Sequence, residues 1–583
     1  MAETRRHRLA ALVGGLVLAG GLAGCATVPD DGAVRYGRAV SQGGGGLDDS
    51  DIHVLPPPPG PGQSPTDVVI GFLRASANFD NDHSDAKRYL TPAAAASWDP
   101  DSGITVYDPT DRQVPPAAPP TGTTAWTVLL TAPRIATIGA DGGYALAPGR
   151  VETPLRLVRQ GADWRLSDVP PGLLLTPTDV ERNLRAVNTY FLDPAQGMVI
   201  PDHVFLRAPE RGRPTALVRA LLDGPTRWLA PAVTTAFPPG TKLIGNVPLD
   251  GTVVVVNLSG EAASALPKVR EAMSAQLVWT LRQLPDVSGV RITIDGVPIG
   301  VGNSGDVQPI VDWSQFDPDA HGRDAGFYFV QAGRLRSLDG DAIRGAVGTG
   351  ALALASPSLG GGVVAGLRTT ATATVLYAGP LRGDVGARVS VAHGGLTAPS
   401  VDRSGAVWSV RSGVSPAVLR ISPSTTTAVA VPAAALLRAG PVAELQISRD
   451  GTRAAAIVGA GKARRLVVGR VVVHRAGSPS LEEFRPVAVG LQAPTSLSWV
   501  DADRIALLGR TGAAGPGTPW VVEADGSMTT AVTTSGLPPG GASRLAGGPD
   551  NDLLATANGS IFSSSGGGAW APVAVGTDPT WSG

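Results

Sequence analysis

From residue 326 onward the chain repeats itself. Short β-prone runs are separated by Gly, Ser, Pro and Asp, and comparable segments begin at Ser356, Ser400, Ser448, Ser498 and Leu545, at steps of 44, 48, 50 and 47 residues. The clearest copies are Val401-Asp402-Arg403-Ser404-Gly405 before 406–410 and Ile447-Ser448-Arg449-Asp450-Gly451 before 453–458. A strand, an Asp-Gly type turn and a second strand at a period near 47 mark a four-stranded propeller blade, a unit that buries its faces only by stacking on neighbours. The 258 residues of 326–583 hold five or six blades, with strands over 328–335 placed to close the ring against the C-terminal repeat. A β-sandwich array also yields short strands, but without this regular period.

The opposite end constrains location. Arg5, Arg6 and Arg8 precede an uncharged stretch over 9–24 rich in Leu, Val, Ala and Gly. A charged n-region followed by an apolar h-region reads as an export signal over 1–24, and the run is short for a membrane span. Leu22-Ala23-Gly24-Cys25 resembles the bacterial lipobox, in which a thiol is alkylated with diacylglycerol and the chain is cut just before it. The resemblance implies an N-palmitoyl, S-diacylglycerol Cys25, the single cysteine of the chain, and a protein on the extracytoplasmic face of the cell membrane. The blander alternative is an ordinary secretory signal with a chance cysteine. Arg5-Arg6 lacks the hydrophobic pattern of a Tat signal, which favours the Sec route. Residues 25–63, with Gly43 to Gly46, an acidic cluster over 48–51 and prolines over 56–61, read as a flexible tether.

Two domains are expected between tether and repeat. The segment 64–177 begins with a helix carrying Val68, Val69, Phe72 and Leu73 at helical spacing, with Thr66 as its N-cap, and a short helix follows over 86–89. Strand-like runs over 125–130, 134–138 and 144–146 lead to a hairpin pairing 155–158 with 164–166 across Gly161-Ala162-Asp163. Helices first and an antiparallel sheet afterwards make an α+β domain, and the order resembles the NTF2-like fold. The segment 178–315 reads as an α/β unit. A helix from Pro214 is stopped by Asp223-Gly224-Pro225, a strand runs over 253–256, and a long helix from Pro267 presents Val269, Met273, Leu277, Leu281 and Leu284 as one stripe. A strand over 290–294 then turns at Asp295-Gly296.

Catalytic and metal-binding patterns were sought in the same residues. The histidines at 7, 53, 83, 203, 321, 393 and 474 form no i, i+4 pair with an adjacent Glu, and there is no Gly-x-Ser-x-Gly elbow. The glycine runs lack the Lys-Ser/Thr of a phosphate loop. Asp80-Asn81-Asp82-His83-Ser84-Asp85 is the one metal-like cluster, but it lacks the glycine and distal glutamate of a calcium loop, and Ser84 or Asp85 is placed to cap a helix. The reading is a non-enzyme with no catalytic residue, metal or cofactor. A formal net charge of −1 and 17% charged residues give no overall electrostatic footprint for nucleic acid.

Leu221-Leu222-Asp223-Gly224-Pro225, Pro239-Gly240-Thr241-Lys242-Leu243, Val256-Asn257-Leu258-Ser259 and Gln276-Leu277-Val278-Trp279-Thr280-Leu281 fall in the order seen in GerMN domains. Each also has a purely structural reading: helix stop, turn, cap and core. Lipobox, α+β domain, GerMN-like domain and C-terminal propeller, in that order, resemble the actinobacterial lipoprotein family LpqB along the mature chain. The resemblance implies association with the extracellular domain of a sensor histidine kinase, MtrB, whose two-component signalling touches cell-envelope homeostasis and division. Two other functions are carried beside it: a surface lipoprotein that binds peptidoglycan or another glycan, and a surface enzyme acting on envelope polymers.

Overall fold

The computed structural model describes residues 58–79, 82–115, 119–207, 212–302, 305–320, 325–340, 343–392, 395–423, 425–475, 477–512 and 515–582. The first domain opens with α1 (Pro65–Ser76), whose N-cap is Ser64 rather than Thr66: Ser64 and Asp67 exchange the reciprocal bonds of a capping box, while the Thr66 hydroxyl donates to the Pro115 carbonyl at 2.8 Å. The short α2 (Ser84–Lys87) begins earlier than expected and is not capped by Ser84 or Asp85. His83 precedes it in the left-handed region with no side-chain cap. α3 (Pro92–Ser97) follows, capped by Thr91.

Five strands, β1 (Gly103–Tyr107), β2 (Ala125–Gly139), β3 (Tyr144–Gln160), β4 (Asp163–Asp168) and β5 (Leu173–Leu175), form a sheet in the order β4-β3-β2-β1-β5. The separate runs expected over 125–138 are one strand of 15 residues, because Pro133 falls inside a long antiparallel pairing with β3 instead of ending it. The α+β character holds. Val68, Val69, Phe72 and Leu73 of α1 pack with Leu130, Leu155, Leu157 and Leu166 of the sheet in a single core.

After α4 (Pro177–Asn183), a long hairpin of β6 (Arg185–Leu192) and β7 (Val199–Leu206) opens the second domain. α5 (Arg213–Asp223) stops at Gly224, whose φ of 104° is open to glycine and strained for other residues. The sheet comprises β8 (Leu249–Asp250), β9 (Val253–Leu258), β10 (Gly289–Ile294), β11 (Val297–Pro298) and β12 (Val307–Pro309). β9 and β10 run parallel, joined through α6 (Pro267–Leu281).

In α6 the apolar positions recur at steps of three or four, and beyond them every residue from Ala272 to Leu281 is buried, because the β6–β7 hairpin covers the other side. The polar residues there act as strand partners. Gln276 accepts from the Ala236 N–H at 2.7 Å and donates to the Tyr190 carbonyl at 2.8 Å, Thr280 accepts from the Tyr190 N–H at 3.1 Å, and Gln283 both accepts from and donates to the Asn188 backbone. Spaced one helical turn apart, they satisfy one edge of β6 as a neighbouring strand would.

The repeat forms a closed ring of six blades. Five sheets of four strands span 355–392, 400–431, 442–487, 492–531 and 544–575, and the sixth joins Thr577–Ser582 to Gly326–Gln331 and Arg334–Ser337, so the two ends of the domain close the ring as expected. The innermost strands touch in succession around the axis. The repeating serines have a physical role at this seam. Ser358, Ser400 and Ser498 each accept from an inner-strand N–H of the next blade, at Val401, Ile447 and Gly547, over 2.9–3.0 Å. The turn aspartates are equally structural: Asp402 accepts from Ser404 and Ala406, and Asp450 from Ser448 and Thr452.

Gln276→Leu removes both of its buried bonds at once and is expected to lower stability by about 2 kcal/mol or more. Urea unfolding of the chain reads this, and an unchanged midpoint would contradict the strand-partner role of α6.

Candidate functional site

The second domain sits on one face of the propeller, the face that carries the turns between first and second and between third and fourth strands of each blade. Its hairpin makes the central contacts. Pro201, Asp202 and His203 follow one another on β7, and the pleat sends the last two side chains to opposite sides. Asp202, 4% exposed, accepts from the Thr226 N–H at 2.6 Å and from its hydroxyl at 2.9 Å, fixing the chain just after the Gly224-Pro225 stop. His203 reaches across to Asp525 in a blade-four turn, with Nδ1 and Oδ2 2.8 Å apart. On β6, Asn188 donates to Asp503 of the same blade at 3.1 Å.

Arg453 of blade three is the most buried charge of the junction, 3% exposed. It pairs with Asp450 at 3.0 Å and donates to the Pro201 carbonyl of β7. Trp228 adds an outer clamp: its indole donates to the Glu483 carbonyl at 3.2 Å and its own carbonyl accepts from Arg470 at 2.7 Å. The first domain joins through the β2–β3 turn. The Asp141 carboxylate accepts from the Arg227 N–H at 2.9 Å, Phe205 N–H donates to the Gly142 carbonyl at 2.9 Å, and Leu146 lies against Gly526, where a Cβ would come within 2.8 Å of it.

These contacts enclose a cavity of about 220 Å³ at the meeting point of all three domains. Tyr144, Trp228, Val468 and Val487 give it apolar wall, and Asp202, Asp503, Glu523 and the His203–Asp525 pair give it titratable groups. Burial pushes Asp202 up to about 6, and burial with the charges of Asp503 and Asp525 pushes Glu523 up to about 8. Burial and its neighbour Asp501 likewise raise Asp503 to about 6. Burial opposes charge on His203, but the Asp525 hydrogen bond and charge, aided by Glu523 and Asp503, outweigh it and raise the imidazole to about 9.

A second opening, of about 90 Å³, is the propeller's axial channel. Glu444, buried, lies 3.6 Å from Arg544, which also approaches Asp578 at 3.8 Å. Toward the other end, Arg403 donates to the carbonyls of Asp317 and Pro318 at 3.3 and 3.4 Å, and Arg449 faces the carboxylate of Asp319. The segment 317–320 between the second and third domains thus lies beside that end of the channel.

In the sequence Arg403, Arg449 and Asp450 stand out only as parts of the repeat, with no role in a site. His203 was one histidine among seven, and Asp525-Gly526 reads as an ordinary turn; their partnership spans 322 residues and has no local signal. Cys25, Leu22, Ala23 and Gly24 lie outside the described residues. So do Asp80 and Asn81; of the rest of that cluster, Asp82 pairs with Lys87 at 2.5 Å and His83 is buried against Phe79 and Trp98. No group of three or more metal-ligating side chains occurs among the described residues. In the GerMN-like motifs, Asn257 accepts from Thr293 and Gly296, both at 2.9 Å, and Ser259 accepts from the Lys242 N–H at 2.9 Å instead of capping the helical turn behind it.

Fold and junction together define a multidomain protein in which a GerMN-like domain is mounted on a six-bladed propeller. Residues 58–181 match the model of the Lipoprotein LpqB N-terminal domain, 188–300 the sporulation and spore germination domain, and 333–581 the Lipoprotein LpqB beta-propeller domain. The chain is 34% identical to Lipoprotein LpqB of Thermobifida fusca, covering 86% of this chain and 88% of that protein, and 29% identical to that of Streptomyces coelicolor, covering 98% and 97%. It belongs to the Lipoprotein LpqB family. Among solved structures, TolB from Acinetobacter baumannii matches 52% of this chain and 85% of its own at 12% identity and a TM-score of 0.33. The tandem GerMN domains of GerM from Bacillus subtilis match 25% and 56% at 18% identity and a TM-score of 0.18.

All the junction shifts cited are upward, for acids and base alike, so the folded state holds more protons than the unfolded one. The histidine contribution is full below its unfolded value of about 6.5 and is lost as pH rises through about 9. The carboxylates cost nothing below about 4 and progressively more as pH rises through their raised values. Stability is therefore expected to fall from pH 5 to pH 9, read as the urea midpoint, and His203→Gln should flatten the alkaline part of that fall. Arg453→Ala, which strands Asp450, is expected to cost about 3–5 kcal/mol. Loss of protection at β7 in hydrogen exchange would place that cost at the junction.

Proposed function

We propose that this chain is a membrane-anchored extracytoplasmic lipoprotein, held by the lipid on Cys25, that acts as a non-enzymatic accessory regulator of an MtrB-like sensor histidine kinase by binding the kinase's extracellular domain. Membership in the Lipoprotein LpqB family supports the anchor. The observation that carries the reading is the junction itself: His203 with Asp525, Asp202 with Thr226, and Arg453 with Asp450 and the Pro201 carbonyl tie the domains together. A rigid, preassembled body presents a fixed surface to a partner, and its binding is not diluted by domain motion. The anchor keeps body and kinase in one membrane plane, where a weak interface is occupied through high effective concentration. Regulation then requires unequal affinity for the kinase's two signalling states.

A second reading, retention of a peptidoglycan or other glycan fragment, is favoured by the axial channel. Its wall sets Trp499 and Trp581 beside Glu444, Arg449 and Arg544, a mix of aromatic faces and charged donors and acceptors suited to a sugar.

The test is pull-down of the kinase's extracellular domain with the mature chain, against purified cell wall. Retention of wall fragments with no kinase binding would remove the first reading in favour of the second. In cells, Cys25→Ala is expected to move the protein from the membrane to the soluble fraction and to lose most of its regulatory effect. Full complementation of a deletion strain by that variant would contradict the role of the anchor.

A further inference from the structure

The propeller face opposite the second domain carries the turns between second and third strands and the connections from blade to blade, and its exposed charge among the described residues is basic. A basic residue stands at this turn in five of the six blades: Arg334 in the sixth, Arg368 in the first, Arg411 in the second, Lys462 and Arg465 in the third, Arg510 in the fourth. Arg438 joins them from the short helix Ala434–Arg438 between blades two and three. Arg334, Arg368, Arg438, Lys462 and Arg465 are exposed, and among the described residues none of the five forms an ion pair with a carboxylate.

Only two acids occupy this end of the described propeller, Glu444 and Asp578. Both are drawn into the channel mouth and face Arg544. The propeller's other carboxylates, Asp450, Asp503, Glu523 and Asp525 among them, lie toward the second domain. A formal net charge of −1 for the chain thus conceals a segregation of charge across the propeller. Fully exposed Val414 at the blade-two turn and half-exposed Val489 between blades three and four add single apolar tips to the same face.

We propose that this basic face docks on the anionic phospholipid headgroups of the membrane that holds the chain. Three observations favour a lipid surface. The charges are spread around a ring instead of converging on one pocket, which suits a broad anionic plane. The opposite face is already covered by the second domain, and among the described residues no other domain covers this one. Resting on the anchoring proposed above, a lipid surface is the anionic partner brought within reach of every copy. Basic residues near such a surface add attraction that salt weakens.

The test uses the mature chain carrying Cys25→Ala, without lipid, in co-sedimentation with vesicles of phosphatidylcholine alone or with one third phosphatidylglycerol, at low and high salt. The expected result is binding to the anionic vesicles only, reversed by salt. The triple variant Arg438→Glu, Lys462→Glu, Arg465→Glu should weaken it by about tenfold or more. The variant Arg182→Glu, Arg219→Glu, Lys268→Glu, with the same change of charge on the second domain and its approach, should bind as the parent does. If the first triple variant unfolds at lower urea than the parent, the corresponding glutamine variant is read in its place. Unchanged binding by the face variant, or equal loss in both variants, overturns the proposal. So does a face variant that keeps its vesicles and loses the kinase domain, since the face would then be a protein interface. Membrane release of Cys25→Ala in cells is read separately, so failure of the face leaves the anchor standing, and the reverse.

Discussion

The structure depends on how the hairpin Arg185–Leu206 is held. One of its strands is satisfied by side chains of α6 and the turn after it, Gln276, Thr280 and Gln283, and the other presents Pro201, Asp202 and His203 to groups outside its own sheet. A two-stranded ribbon alone is marginal in water. Here it is the element through which the second domain is mounted on the propeller, and the first domain reaches the same place through Asp141 and Gly142. Removing one of these supports leaves backbone groups of the hairpin without their partners, so the three domains are expected to be coupled in stability.

The charges at this junction are expensive to bury, and three of them are held by specific partners. Arg453 is matched by Asp450 and a carbonyl, Asp202 by two donors on Thr226, His203 by Asp525. Buried pairs of this kind add little net stability compared with an apolar core, but a misaligned docking would leave them unpaired at a cost of several kcal/mol. Their effect is therefore to define one orientation of the domains. The surplus of carboxylates around His203 explains why the imidazole keeps its proton despite burial.

The architecture was largely legible in the sequence, since it rests on period and local chemistry. Serines and turn aspartates at steps near 47 residues correspond to seam bonds at Ser400 and Ser498 and to turn bonds at Asp402 and Asp450, and Asp223-Gly224-Pro225 supplies the glycine and proline that stop a helix. Boundaries shifted where local signals competed, as with Ser64 over Thr66, or where tertiary pairing overrode a proline, as at Pro133. The burial of α6 on both sides could not be read from a single apolar stripe, because the polar residues on its other face gain partners only once the hairpin is in place. The junction was illegible for a related reason: His203 and Asp525 become neighbours only through the fold. The basic face was hidden differently, by summing charge over the chain instead of over the turns that share one end of a blade.

The second domain and the propeller form one body with a single orientation. Paired spin labels at exposed positions, one on Arg219 of α5 and one on Lys462 of the propeller, measure the distance between them directly. A single narrow distance distribution is expected in the full mature chain, broadening when Arg453 and Asp525 are replaced by alanine. A broad or multiple distribution in the unaltered chain would contradict it.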